Sequence, residues 1–246
     1  MRRMGKVDAG GYLRAFALLF RHPQIALAPF VAAVAQALLV RLMPGNGDTG
    51  LLGSANLGIT GLIAQLIGFF GFAVALIVAD TAWRRERAPF DDAWDQARRK
   101  AGDILLAAIG FGFVLYIASL IGSFIPIAGP LALGLVALFF FIYSLPAAAV
   151  GGVPGGAALQ ISVERARSAP LPTAIVTAIY ILAVLYLPSL AIRTVEPLLL
   201  SGSLPAADII TILIIAAIKA AVSGYVALVL AKTYGDVSYG RFSGRG

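Results

Sequence analysis

Two long apolar stretches set the pattern of this chain: no charged residue occurs from Thr49 to Ala79, and none from Ile104 to Val163. Neither stretch shows the period-two alternation of a half-buried strand, so a β-barrel is not expected. The second stretch is too long for one buried helix and matches two bilayer crossings of about 20 residues each. Runs of this kind recur along the chain and predict transmembrane helices at about 23–42, 59–80, 104–123, 131–150, 173–192 and 206–231. The expected fold is all-α: a polytopic membrane protein with six transmembrane helices.

The segments between these spans carry a second pattern. In residues 8–21, Tyr12, Leu13, Phe16, Leu19 and Phe20 recur at helical spacing, while Arg14 and Arg21 share another face. Pro89 opens a segment, 90–101, with Phe90, Trp94, Ala97 and Ala101 on one side; 157–167 is polar at Gln160, Glu164 and Arg167. All three read as interfacial amphipathic helices on the cytoplasmic side. The division expected is a cytoplasmic amphipathic helix at 1–22, a membrane domain at 23–231 and a basic cytoplasmic tail at 232–246. His22-Pro23 breaks the first helix, because a residue before proline is pushed out of the α region. Pro146 predicts a kink within the fourth span, Pro188 falls near the outer end of the fifth, and Gly151-Gly-Val-Pro-Gly-Gly156 reads as a flexible loop. Ala64, Gly68 and Gly71 give the second span a small-residue face for close packing, as Ala216, Ala220 and Gly224 do for the sixth.

Charge orients the whole. With the amino terminus inside, the inner segments hold 16 of the 19 Lys and Arg residues. Only Arg41 and Arg193 fall at outer ends, and Lys219 falls within the membrane. The positive-inside bias places both termini in the cytoplasm. Composition agrees: 60% of residues are hydrophobic, 13% are charged and mean hydropathy is +0.91. The net charge of +7 lies in short loops beside apolar spans, which points to anionic lipid headgroups rather than nucleic acid. Arg84, Arg85, Trp94, Arg98 and Arg99 are the expected contacts to headgroups or a partner. The sequence has no cysteine, which excludes disulfides and thiol chemistry. Ala35-Gln36-Ala37 looks like a signal-peptide cleavage site, but the chain stays apolar after it, so 23–42 reads as a retained span.

An internal echo joins Val114-Leu-Tyr-Ile-Ala-Ser-Leu120 to Val184-Leu-Tyr-Leu-Pro-Ser-Leu190. Together with the recurring amphipathic segments it suggests three units, each an inner helix followed by an ascending and a descending span. Gly11-Tyr-Leu-Arg-Ala-Phe-Ala-Leu-Leu-Phe-Arg-His-Pro23, Ala93-Trp-Asp-Gln-Ala-Arg98, Ala158-Leu-Gln-Ile-Ser162 and Ala231-Lys-Thr-Tyr234 resemble a group of bacterial six-span proteins. That group includes the membrane domain found beside glycerophosphodiester phosphodiesterases and several families of unknown function. The resemblance implies no catalytic residues, and the phosphodiesterase domain has no counterpart here.

Four sets of residues could carry chemistry. Asp91-Asp92-Ala-Trp-Asp95 matches the DDxxD string that holds a diphosphate through magnesium in prenyl-transferring enzymes. The second acidic cluster such enzymes need is missing, and the plainer reading is a solvated helix start with Asp95 pairing Arg98 or Arg99. Lys219 stands about 11 residues, or ~16 Å, from either end of its span, beyond the reach of full snorkelling. It reads as a substrate or lipid contact with Ser223, or as an amine bonded to carbonyls and hydroxyls. Gln36 and Gln65 are mid-membrane amides expected to bond between helices. His22, a lone histidine, suits no metal site, and no cofactor is implied. The functional expectation is a non-enzymatic accessory or transport-associated membrane module, possessing lipid contacts and open to other membrane subunits. The alternatives are the permease subunit of a transporter driven by a cytoplasmic ATPase, with 90–101 as its coupling helix, and an intramembrane lipid-modifying enzyme.

Overall fold

The computed structural model describes residues 9–42, 51–87, 89–125, 128–190, 193 and 205–238. Among them the chain is all-helical, with no strand. The helices are α1 (Ala9–Arg21), α2 (Leu27–Leu42), α3 (Leu51–Arg85), α4 (Phe90–Arg99), α5 (Ala101–Gly122), α6 (Gly129–Phe141), α7 (Ser144–Ala149), α8 (Gly155–Ser168), α9 (Pro170–Tyr180) and α10 (Pro205–Ser238). A 3-10 turn, Pro23–Ala26, joins α1 to α2, and a π-helical stretch, Ile181–Tyr186, continues α9.

Among the described residues, five helical stretches are long and apolar enough to cross a membrane: Thr60–Arg85, Ala101–Gly122, Gly129–Ala149, Pro170–Leu190 and Ile209–Ser238. A sixth is added when the pair Gly10–Arg21 and Pro23–Leu39, bent by 91° at His22, is taken as one broken span. This is the make-up of a multi-pass membrane protein. The bend falls where Pro23 was expected to force one.

Local chemistry explains the ends. α4 carries Asp91 and Asp92 in its first turn and Arg98 and Arg99 in its last, opposite in sign to the helix dipole at each end. α9 opens on Pro170, whose missing N–H costs nothing in a first turn. The span Gly129–Ala149 breaks at Ile142-Tyr143, one turn before Pro146, where the proline ring would meet the Ile142 carbonyl. The π-helical stretch precedes Pro188 in the same way. There the Leu187 N–H bonds the Leu182 carbonyl, five residues back, and Pro188 has no N–H with which to resume the α register.

The helices fall into three units: α1–α2–α3, α4–α5–α6/α7 and α8–α9–α10. The short first helix of each packs on the unit before it: α4 on α3, α8 on α5, α6 and α7, and α1 on α10, which closes the ring. α2 also packs on α10, α5 on α3, and α9 on α6. The buried core lies in the second halves of the descending helices, at Ala73–Ala79, Tyr143–Ala149 and Val226–Ala231. The first and last of these share a sequence: Val74-Ala75-Leu76, Ala79 and Thr81 match Val226-Ala227-Leu228, Ala231 and Thr233. The two threonines each donate to the carbonyl one turn back, Thr81 to Ile77 at 3.0 Å and Thr233 to Val229 at 2.9 Å. Ion pairs occupy matching places with the charges exchanged, Asp80–Arg84 at 2.8 Å and Lys232–Asp236 at 2.5 Å.

Three expectations need correction. Residues 151–154 are held, not flexible: the Gly151 and Val153 N–H groups bond the Pro146 and Ala147 carbonyls at 3.1 Å each, and the Gly155 N–H bonds Asp103 Oδ1 at 3.0 Å. The helix of the last span does not stop at Ala231 but runs to Ser238, because Thr233 and Tyr234 are buried against the bundle. Asp95 forms no ion pair with Arg98 or Arg99 among the described residues; all three are exposed, where such a pair gains little. The expected outer loops around Gly47 and 194–204 lie outside the described residues, as does the tail beyond Ser238.

Candidate functional site

Small residues let α2 approach α3 and α10 closely. A Cβ at Gly71 would meet Ala32 Cβ at 2.6 Å and the Ala28 carbonyl oxygen at 3.0 Å, so only glycine fits that crossing. On α10, Ala216 and Ala220 are buried, and Gly224 faces Leu19 and Ala26. The small-residue faces read from the sequence are therefore real packing surfaces. Where they end, the bundle opens into two adjoining cavities of ≈ 210 and ≈ 270 Å³ that share Gln36, Gly68, Phe72, Val184 and Ser223 as lining.

The first cavity takes lining from every predicted span: Gln36 of α2, Gln65 of α3, Phe111 of α5, Ile142 after α6, Tyr180 of α9 and Ser223 of α10. It reaches Leu230, about 16 Å along α10 from Lys219 at 1.5 Å per residue. The second cavity adds Lys219, Pro29 and Pro188. Val184 and Pro188 line it from the distorted end of the fifth span, so the π-helical stretch is part of the chamber wall.

Lys219 and Ser223, paired from the sequence, thus line one chamber. Gln36 lines it too, a convergence with Lys219 that the sequence did not reveal, whereas Gln65 lines only the first cavity, with its Nε2 beside Gly112 of α5; helical spacing relates residues on one helix, not residues on three. Gln36 Nε2 donates to the Ala64 carbonyl at 2.6 Å, the interhelical bond expected of it. Gln65 does not form such a bond among the described residues, and neither Lys219 nor Ser223 has a polar partner there. The chamber therefore presents an ammonium, a hydroxyl and two amides with bonding capacity to spare. The rest of its wall is apolar and aromatic: Phe69, Phe72, Phe111 and Phe141.

The other candidates divide differently. Asp91 and Asp92 do not converge: Asp91 lines an apolar groove between α2 and α3, with Trp94, while Asp92 lines a polar crevice on the other side of α4. That divergence argues against a shared diphosphate site. Among the described residues, no group of three or more acidic or histidine side chains is placed to hold a metal ion. Arg84 is engaged by Asp80 and lines the crevice with Arg85. Arg98 and Arg99 are exposed at the end of α4. Trp94 is 39% exposed, edge-on to Phe70 with centroids 5.7 Å apart and stacked on Phe90 at 6.3 Å. On α1, Leu13 and Phe20 are largely exposed, Phe16 meets Tyr225 of α10 edge-on with centroids 6.1 Å apart, and Ala15 is buried.

No protein-family model matches the chain, no curated protein matches it, and no solved structure does.

Proposed function

We propose that this protein is a non-enzymatic, transport-associated module of a bacterial cytoplasmic membrane. It has six spans, both termini in the cytoplasm, and a chamber in which Lys219 and Ser223 contact an anionic substrate or lipid. The observation that carries this reading is that all six predicted spans contribute side chains to one cavity. Gln36 and Ser223 are half-buried in the walls, whereas Lys219 and Gln65 are exposed at the edges of the two cavities. The cost of a lysine near the bilayer middle, at least ~2.5–3.5 kcal/mol on insertion scales, calls for water or a counter-charge beside it.

The orientation follows from the 16 Lys and Arg residues assigned to inner segments. Under it, α1, α4 and α8 lie at the cytoplasmic headgroup level, and Phe16 and Trp94 reach toward acyl chains. The polar crevice between α3 and α4, lined by Asp80, Arg84, Arg85, Asp92 and Gln96, favours a second reading. In that reading a cytoplasmic ATPase docks there and the chain is its permease subunit; co-purification of a nucleotide-binding protein would decide for it.

The test of the first reading is paired. Lys219→Leu should leave the thermal unfolding temperature of the purified protein unchanged or raised, since it removes a desolvation cost. The same variant should lose co-purifying anionic lipid or transport. A variant unchanged in both respects rejects the chamber as a site.

A further inference from the structure

The chamber's chemistry is specific enough to name a ligand class. Resting on the reading above, we infer that it binds a single-chain anionic amphiphile, with one ionised head at Lys219 and one apolar tail along the aromatic wall. The head site is defined by what has no partner: Lys219 and the Ser223 hydroxyl make no bond among the described residues, and Gln36, which lines the same cavity, bonds only through Nε2 to Ala64. An ammonium with hydroxyl and amide N–H donors suits a carboxylate or phosphate oxygen, since charge-assisted bonds are the strong ones.

The charge count limits the head. Among the described residues, Lys219 is the sole cationic residue lining either cavity, and no acidic residue lines them. A second negative charge would be buried without a partner, and a cationic ligand would face Lys219 with nothing to offset it. The tail follows from the wall. Phe69, Phe111, Phe141, Leu145 and Leu230 run inward from Ser223 with few polar groups to hydrate a sugar or peptide. The two adjoining cavities, of ≈ 210 and ≈ 270 Å³, together reach the size of a pocket for one small ligand. α2 and the Val184–Pro188 segment both flank Lys219. The exposed face of Lys219 gives a sideways route for the head from the surrounding lipid.

The experiment uses the full chain in nanodiscs of neutral lipid and compares decanoate with decanedioate, decyltrimethylammonium and butyrate by equilibrium binding. Decanoate should bind at least about 10-fold more tightly than each of the others, a gap of about 1.4 kcal/mol. Lys219→Met should remove that preference, Lys219→Arg should keep part of it, and Ser223→Val should weaken it with the lysine intact. Lysophosphatidylglycerol, whose phosphodiester carries one negative charge, is run in parallel to separate a free carboxylate from a lipid-derived phosphate as the natural head; tighter binding of either supports the class. Equal or tighter binding of the dianion or the cation overturns the inference. If only butyrate binds, and binds through Lys219, the amphiphile class falls while the chamber stands as an anion site. If no anion's binding depends on Lys219, both fall.

Discussion

The Asp103 carboxylate accepts the Gly155 N–H at 3.0 Å across 52 positions of sequence, so the first turn of α5 caps the first turn of α8. Three residues earlier, Lys100 Nζ donates to the Ala149 carbonyl at 3.3 Å, at the end of α7. A helix start leaves N–H groups unpaired and a helix end leaves carbonyls unpaired; here one short segment serves both. Capping interactions are worth about 0.5–2 kcal/mol, and the exposure of Asp103 places this one in the lower half. Asp103→Ala should lower the thermal unfolding temperature of the purified protein, with Asp103→Asn in between. An unchanged Asp103→Ala would mean that 151–154 is held by its own backbone bonds alone.

Gly71 tests the contact between α2 and α3. A methyl group there meets Ala32 and Ala28 backbone, which cannot rotate away, whereas one at Gly61 meets nothing within 4 Å. Overpacking of this kind costs about 1–3 kcal/mol. Gly71→Ala should destabilise the protein and Gly61→Ala should not. Equal unfolding temperatures for the two variants would contradict the close crossing.

Pro188 tests whether the π-helical stretch serves the chamber. Pro188→Ala restores an N–H and lets 181–186 settle into the α register, which turns Val184 and Tyr180 relative to residues beyond the break. Proline within a helix costs about 3 kcal/mol relative to alanine. The variant should therefore be more stable yet bind anions less well. A gain in stability with binding unchanged would make the distortion a packing matter only.

Topology has its own test. A reporter active only in the cytoplasm should be active when inserted near Pro89 and silent when inserted near Gly47. The ground is the concentration of basic residues in 81–103, where Arg84, Arg85, Arg87, Arg98, Arg99 and Lys100 lie. Activity at Gly47 would reverse the assignment of inner and outer faces.

The sequence disclosed what local chemistry controls. Apolar runs gave the crossings, His22-Pro23 gave the bend before α2, and Pro146 gave the break at Ile142. Ala64, Gly68 and Gly71, and Ala216 with Ala220 and Gly224, marked faces that do pack. Juxtapositions of distant segments stayed hidden, since no spacing rule relates Asp103 to Gly155 or Gln36 to Lys219. The glycines of 151–156 suggested freedom, yet tertiary bonds hold them. The match between Val74–Thr81 and Val226–Thr233 was there to be read. In so apolar a chain it becomes informative only once Thr81 and Thr233 are seen making the same bond. The resemblance to six-span bacterial proteins rests on the residues that suggested it.

The central claim, that the bundle opens into a hydrated chamber beside Lys219, is tested most directly by chemical access. The sequence has no cysteine, so Ser223→Cys introduces a single thiol without touching the lysine. Its reaction with a small anionic methanethiosulfonate should be compared with that of Leu213→Cys, on the same helix at an exposed apolar position. Ser223→Cys should react at least about 10-fold faster, a barrier difference of about 1.4 kcal/mol, because Lys219 keeps the chamber hydrated and draws the anion. It should also be protected by decanoate. Equal rates at the two positions, or a thiol at 223 inert to the reagent, would contradict the chamber.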